Sequence, residues 1–131
     1  MIVLDSSALI AILRRELEAD GFLRAISEAD RCLLSSVSLL ETSMVLAGRT
    51  GDRRSWAELD ALIARAGIEI VAQDAELAEA ARAAFLRYGR GRHRAGLNLG
   101  DCASYALAKT RGLPLLFKGE DFSGTDLQPA V

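Results

Sequence analysis

A chain of 131 residues, half of them hydrophobic and 26% charged, has the composition of a folded domain, large enough to bury roughly two thirds of its unfolded surface in one core. Cys32 and Cys102 sit in apolar settings with no partner at metal-ligand spacing, which excludes a disulfide framework or thiolate metal site. No apolar run is long enough to span a bilayer, and a net charge of −2 argues against nonspecific coating of nucleic acid while leaving room for a local basic patch. Met1 leads straight into an apolar segment without a charged leader, so the chain is expected to be one cytoplasmic domain over residues 1–131.

The first apolar run, Ile2 to Leu4, stops at Asp5 and passes at once into a helix-starting signal. Short continuous apolar runs suit strands buried on both faces, and Ser6 or Ser7 can cap a helix carrying Leu9, Ile10 and Leu13. Asp5 either caps that helix itself or presents an acid at the carboxyl edge of a sheet, where open parallel sheets bind their ligands. A second helix is expected over residues 18–28 and a second strand over residues 32–35. Ser38 with Glu41 three residues later has the spacing of a capping box and predicts a helix from Ser38 to Arg49. Leu39, Leu40, Met44, Val45 and Leu46 point in too many directions for one stripe. That helix needs cover on a second side, from a second subunit or from the helix that follows.

Residues 53–66 read as an amphipathic helix with Trp56, Leu59, Leu62 and Ile63 inward and Gly67 at its stop. Residues 68–71 form a third strand, and Asp74 caps an alanine-rich helix that runs to Tyr88. Gly89 to Gly100 is a glycine-rich basic loop, Asp101 to Arg111 a helix, and Leu115 to Phe117 the fourth strand. A short edge strand is expected around Asp126 and Leu127. Alternating strands and helices predict an α/β fold, with a central, mainly parallel sheet of four to five strands and helices on both faces.

That topology has a consequence for the acids. Asp5 and Asp121 follow the first and fourth strands, Glu41 lies in the first turn of the helix after strand two, and Asp101 opens the helix that returns to strand four. All four therefore reach the carboxyl edge. Each has an ordinary explanation, as a helix cap, a capping-box partner, a dipole-stabilising acid or a turn residue. Together they would repel unless a cation neutralised them, and an all-oxygen cluster without histidine or thiolate suits Mg²⁺ or Mn²⁺.

Other chemistries lack their residues. The one histidine, His93, lies in the basic loop, no serine sits in a nucleophile elbow, and the glycines at 89, 91 and 96 lack the Lys-Ser/Thr ending of a P-loop. Metal-assisted hydrolysis remains the enzymatic option. Arg87, Arg90, Arg92 and Arg94 stand just before Asp101, where they would hold the phosphates of a polyanion or, since this chain favours arginine over lysine throughout, merely solvate a loop.

The segments VLDSSAL, SLLE, LNLGDCASYALA and LPLLFKGEDF together resemble the PIN domain, specifically the VapC ribonuclease toxins of bacterial toxin–antitoxin pairs, over essentially the full length. The resemblance implies a PIN-like three-layer α/β/α sandwich and an endoribonuclease that uses a metal-activated water. It implies Asp5, Glu41, Asp101 and Asp121 around Mg²⁺ or Mn²⁺, with Asp5 and Asp101 as the main ligands. Ser7 matches a hydroxyl position of the family, while Asn98 and Asp126 are supporting candidates, and Glu120 and Asp126 compete with Asp121 as fourth acid. Products with 5′-phosphate and 3′-hydroxyl ends and a small VapB-like antitoxin are implied as well, while the surplus apolar face of the helix from Ser38 to Arg49, beside the close-packing alanine-rich helix from Asp74, leads us to expect a two-fold homodimer. Two rivals are a catalytically inactive PIN binding module and a phospho-receiver domain built on Asp74 and Lys118. The receiver lacks the adjacent acidic pair at the first strand and leaves Glu41 and Asp101 without a task.

Overall fold

The computed structural model describes residues 1–131. Strands β1 (Ile2–Leu4), β2 (Cys32–Ser35), β3 (Glu69–Val71) and β4 (Leu115–Leu116) form one sheet, parallel throughout, in the order β3-β2-β1-β4. Successive side chains of a strand point to opposite faces, and the register aligns them across the sheet. Val3 pairs with Leu33 and Leu115 on one face, Leu4 with Leu34 and Leu116 on the other. Both rows are fully buried, which requires a helical layer on each side.

Helices α1 (Ser6–Leu13), α2 (Ala19–Glu28) and α4 (Ala57–Ala66) cover the Leu4 face with Leu9, Ile12, Phe22, Ile26 and Leu59. Helices α5 (Ala75–Tyr88) and α6 (Leu99–Arg111) cover the Val3 face with Leu77, Tyr88, Tyr105 and Leu107. This is the expected three-layer sandwich. Helix α3 (Ser36–Ala47) leaves the end of β2 directly and packs against both α1 and α6, so it lies across the carboxyl edge and ties the two layers together there. Cys32 and Cys102 are buried free thiols, as their apolar settings imply.

Among the boundaries that differ from the sequence-based expectation, four have a clear local reason. Helix α3 starts before Ser38 because Ser35 is its cap, its hydroxyl accepting from the Val37 amide at 3.1 Å. The expected capping box of Ser38 and Glu41 does not form, and both side chains turn elsewhere. Helix α4 is preceded by a 3₁₀ turn, Arg53–Trp56, whose Trp56 Nε1 donates to the Ser43 carbonyl at 2.8 Å and pins this corner to α3. Helix α6 begins at Leu99, capped by Asn98. The tail forms no strand at Asp126 and Leu127; it pairs beside β4 slightly later, where Leu115 donates to Gln128 and receives from Ala130 at 3.0 and 2.8 Å.

Candidate active site

Strand β1 is the second-to-last strand of the sheet, flanked on both sides, and it ends on Asp5, which is 2% exposed. The two sequence-based readings of Asp5 hold together. It caps α1, with Oδ2 accepting from the Ser7 amide at 3.0 Å and the Ser7 hydroxyl at 2.6 Å, while Oδ1 accepts from Ser104 Oγ of α6 at 2.6 Å. The Ser7 hydroxyl in turn accepts from the Lys118 amide at 3.0 Å, which ties the chain leaving β4 to the first acid. Ser7 thus stands where the sequence places it, one bond from Asp5.

Asp101 lies in the first turn of α6. Its Oδ2 accepts from the Asn98 amide at 3.0 Å and its own amide donates to Asn98 Oδ1 at 2.9 Å, a reciprocal capping box. Asn98 therefore serves the site by fixing Asp101. Glu41, half-buried on α3, reaches the same edge with Oε1 accepting from Ser6 Oγ at 2.6 Å. Its carboxylate fills the space against Gly100, where an added Cβ would fall inside it. Glu41 is so set beside both neighbours, Ser6 next to Asp5 and Gly100 next to Asp101. Asp121 is exposed on the turn after β4.

The charges of these four acids meet at Asp101. Burial pushes its carboxyl up to about 7, and the charges of Asp5, Asp121 and Glu41 push the same way against the lowering effect of the Asn98 amide. Burial also raises Asp5, against the lowering hydrogen bonds from Ser104 and Ser7. No three acids close on a common point as a finished ligand set; they lie near enough for the other three to raise the proton affinity of Asp101. The donor set is oxygen alone. Burial and Asp101 hold the adjacent Cys102 thiol at about 11, so no thiolate competes. Such donors fit a hard divalent cation, which would relieve the repulsion that protons otherwise relieve.

Two candidates fall outside this cluster. Asp126 accepts from the Tyr105 hydroxyl at 2.5 Å and pairs with Lys109 at 3.0 Å, one and two turns further along α6 than Asp101. It anchors the tail, and those bonds, Tyr105 first, hold its carboxyl below the usual range. Arg87 belongs with it, 3.6 Å from Asp126 and stacked 4.8 Å over the Tyr88 ring. Of the other arginines, Arg92 donates to the Leu86 carbonyl at 3.2 Å and Arg90 is exposed. Arg94 lines a cavity of about 340 Å³ with Glu120, Ser123 and Gly124, beside the turn that carries Asp121. The loop itself is closed by backbone bonds from Arg90 to Leu97 and from Leu97 to Tyr88, both 3.0 Å, with Leu97 fully buried. Sequence reasoning missed Ser6, Gly100 and Ser104. Only Ser104 left a trace, as the one serine among the alanines of α6.

A parallel sandwich with four acids at its carboxyl edge defines a class, and comparison with known proteins agrees. Residues 2–127 match the family model described as PIN domain. Over 126 residues the chain is 53% identical to ribonuclease VapC30 of Mycobacterium tuberculosis, covering 95% of each. The chain belongs to the PIN-domain family, in its VapC group. Among solved structures it resembles M. tuberculosis VapC20, described as a sarcin-ricin loop cleaving toxin, with a TM-score of 0.75 at 19% identity over 97% of this chain and 96% of that one. A toxin–antitoxin complex from Klebsiella pneumoniae superposes with a TM-score of 0.71 at 20% identity, covering 96% and 93%.

The acidity of Asp101 fixes a pH dependence. A carboxyl raised from 3.8 in the unfolded chain to about 7 in the fold binds its proton more tightly when folded, so metal-free stability falls as pH rises through that window. Asp101→Asn removes that residue's part of the slope. In urea unfolding with chelator, the stability gained by the variant over the natural chain should grow from about pH 4 to about pH 7 and then level off; a gain constant with pH would contradict the shared cluster.

Proposed function

We propose that this chain, acting as one domain, is a metal-dependent endoribonuclease and the toxin of a toxin–antitoxin pair. What carries the reading is the Asp101 carboxyl, buried and opposed by three other acids drawn from separate elements. Asp5 and Asp101 would hold Mg²⁺ or Mn²⁺, with Glu41 and Asp121 completing the site directly or through water. The bound cation supplies Lewis acidity for the phosphodiester oxygens and lowers the pKa of an attacking water. The protein's own contribution is placement. Ser7 and Ser104 hold Asp5, Asn98 holds Asp101, Ser6 and Gly100 seat Glu41, and one carboxylate orients the nucleophile. Arg94, with Arg90 and Arg92, would take RNA phosphates beside the acids; Arg87 is engaged by Asp126 and is left out.

The VapC names of its relatives and the toxin–antitoxin neighbour support a small VapB-like antitoxin as partner; the acids would receive a cationic side chain from it. No helix is long and apolar enough to cross a membrane, and we place the protein in the cytoplasm. A phospho-receiver reading fits less well, because Asp74 is the cap of α5, accepting from Leu77 at 2.9 Å, and the Lys118 ammonium is held by Glu16 and Glu18 at 2.9 and 3.4 Å.

Cleavage decides the main reading. Purified protein offered a range of structured RNAs should cut at least one with Mg²⁺ or Mn²⁺ and stop with chelator. Asp5→Asn and Asp101→Asn should each lower the rate by a hundredfold or more, on the order of other losses of charge stabilisation, while staying folded. Full activity in both variants would overturn the site.

A homodimer on α3 and α5 belongs to the same proposal. Trp56 covers only part of α3, and Leu40, Met44 and Val45 remain 61%, 64% and 40% exposed. Beside them Val37, Phe85 and Leu99 line an apolar groove of about 470 Å³. Light scattering at micromolar concentration should give twice the chain mass, reduced by Met44→Asp. A monomer unchanged by that substitution would rule out this face.

A further inference from the structure

Asp5 uses its two oxygens unequally. Oδ2 accepts both the amide and the hydroxyl of Ser7, which fills its two lone-pair directions. Oδ1 has a single side-chain donor, Ser104 Oγ at 2.6 Å, and a carboxylate oxygen that accepts one such bond can take a further partner. Ser104 has a single hydroxyl proton and gives it to Asp5, so its 3.0 Å contact with Ser38 must run the other way, Ser38 donating to Ser104. Both serines are fully buried. Ser38 is fixed on α3 one turn before Glu41, and its carbonyl accepts from Thr42 Oγ1 at 2.7 Å. Around Ser104, Ala103, Ala106, Leu107 and Ala108 are buried and apolar. A hydroxyl in such surroundings is costly unless paired, and here its pairing has a direction: from α3, through α6, to the one Asp5 oxygen with room for another partner.

We infer that Ser104 is a positioning residue for the divalent cation: it aims Oδ1 of Asp5 at the ion, and Ser38 holds Ser104 in the orientation that does so. The inference rests on the proposed role of Asp5 as a metal ligand. Partners that orient a metal-binding carboxylate typically change affinity by about 10- to 100-fold. The Asp5 carboxylate keeps its Ser7 bonds without Ser104, so the lower end is expected.

The test is Mn²⁺ binding to the metal-depleted full chain, read from the free-ion electron paramagnetic resonance signal. Ser104→Ala should weaken Mn²⁺ binding about tenfold, Ser38→Ala should weaken it less, and Ser104→Cys, close in size but a weak donor, should fall between the natural chain and the alanine variant. The cysteine variant also carries the test if Ser104→Ala does not fold. In RNA cleavage the Ser104→Ala deficit should disappear at saturating Mn²⁺, because a misaimed ligand raises the metal requirement, whereas a serine needed only for folding would lower the active fraction at every metal concentration. A folded Ser104 variant with natural Mn²⁺ affinity, or a deficit that persists at saturating metal, overturns the inference and leaves Asp5 as ligand. Failure of the natural chain itself to bind Mn²⁺ overturns the underlying reading as well.

Discussion

Burying one carboxylate at the end of a flanked strand is the constraint from which the rest of the structure follows. Asp5 is nearly excluded from solvent, and burial of an acid without donors costs several kcal/mol. The fold meets that cost from three sides: the first turn of α1 through Ser7, α6 through Ser104, and α3 behind it through Ser38. Those contacts draw the starts of three helices to one place, and the starts bring Glu41 and Asp101 with them. The chain leaving β4 joins through the Lys118 amide on Ser7 and carries Asp121 along. A cluster of acids from four elements is thus drawn together by the hydrogen bonds of one of them.

What the assembly leaves unresolved is charge. Hydrogen bonds satisfy the oxygens of Asp5 and Asp101 locally, yet Asp101 still holds its proton up to about 7 because it is buried and faces three like charges. Repulsion of this kind is stored at the edge and is relieved by a proton or a cation. Gly100 shows how closely the geometry is set. A methyl group there meets only the end of a flexible Glu41 side chain, so the fold would tolerate it by moving Glu41, and the loss would fall on the site.

Much of this is legible in the order of residues along the chain. The strands at Ile2–Leu4 and Cys32–Ser35 and the caps at Asp74 and Gly67 follow from apolar runs and capping chemistry. Given the parallel topology, the carboxyl edge is the only place for Asp5, Glu41, Asp101 and Asp121. Local spacing misleads where two signals overlap. Ser38 and Glu41 have capping-box spacing, but Ser35, at the very end of β2, captures the helix start first and frees both for the interior. Asp126 and Arg87 match the pattern of site residues, yet Asp126 is held by Tyr105 and Lys109 and draws Arg87 to it, pairings of distant positions that no local pattern encodes. The same holds for Ser104 and Gly100, whose roles depend on side chains arriving from Asp5 and Glu41.

If the four carboxylates converge on one cation, the melting temperature of the metal-depleted protein responds to that cation. An ion bound only by the folded site stabilises it by mass action. Millimolar Mn²⁺ should raise the melting temperature of the natural chain and leave unmoved that of a variant carrying both Asp5→Asn and Asp101→Asn. An unchanged temperature for the natural chain, or an equal rise in the double variant, would contradict the account.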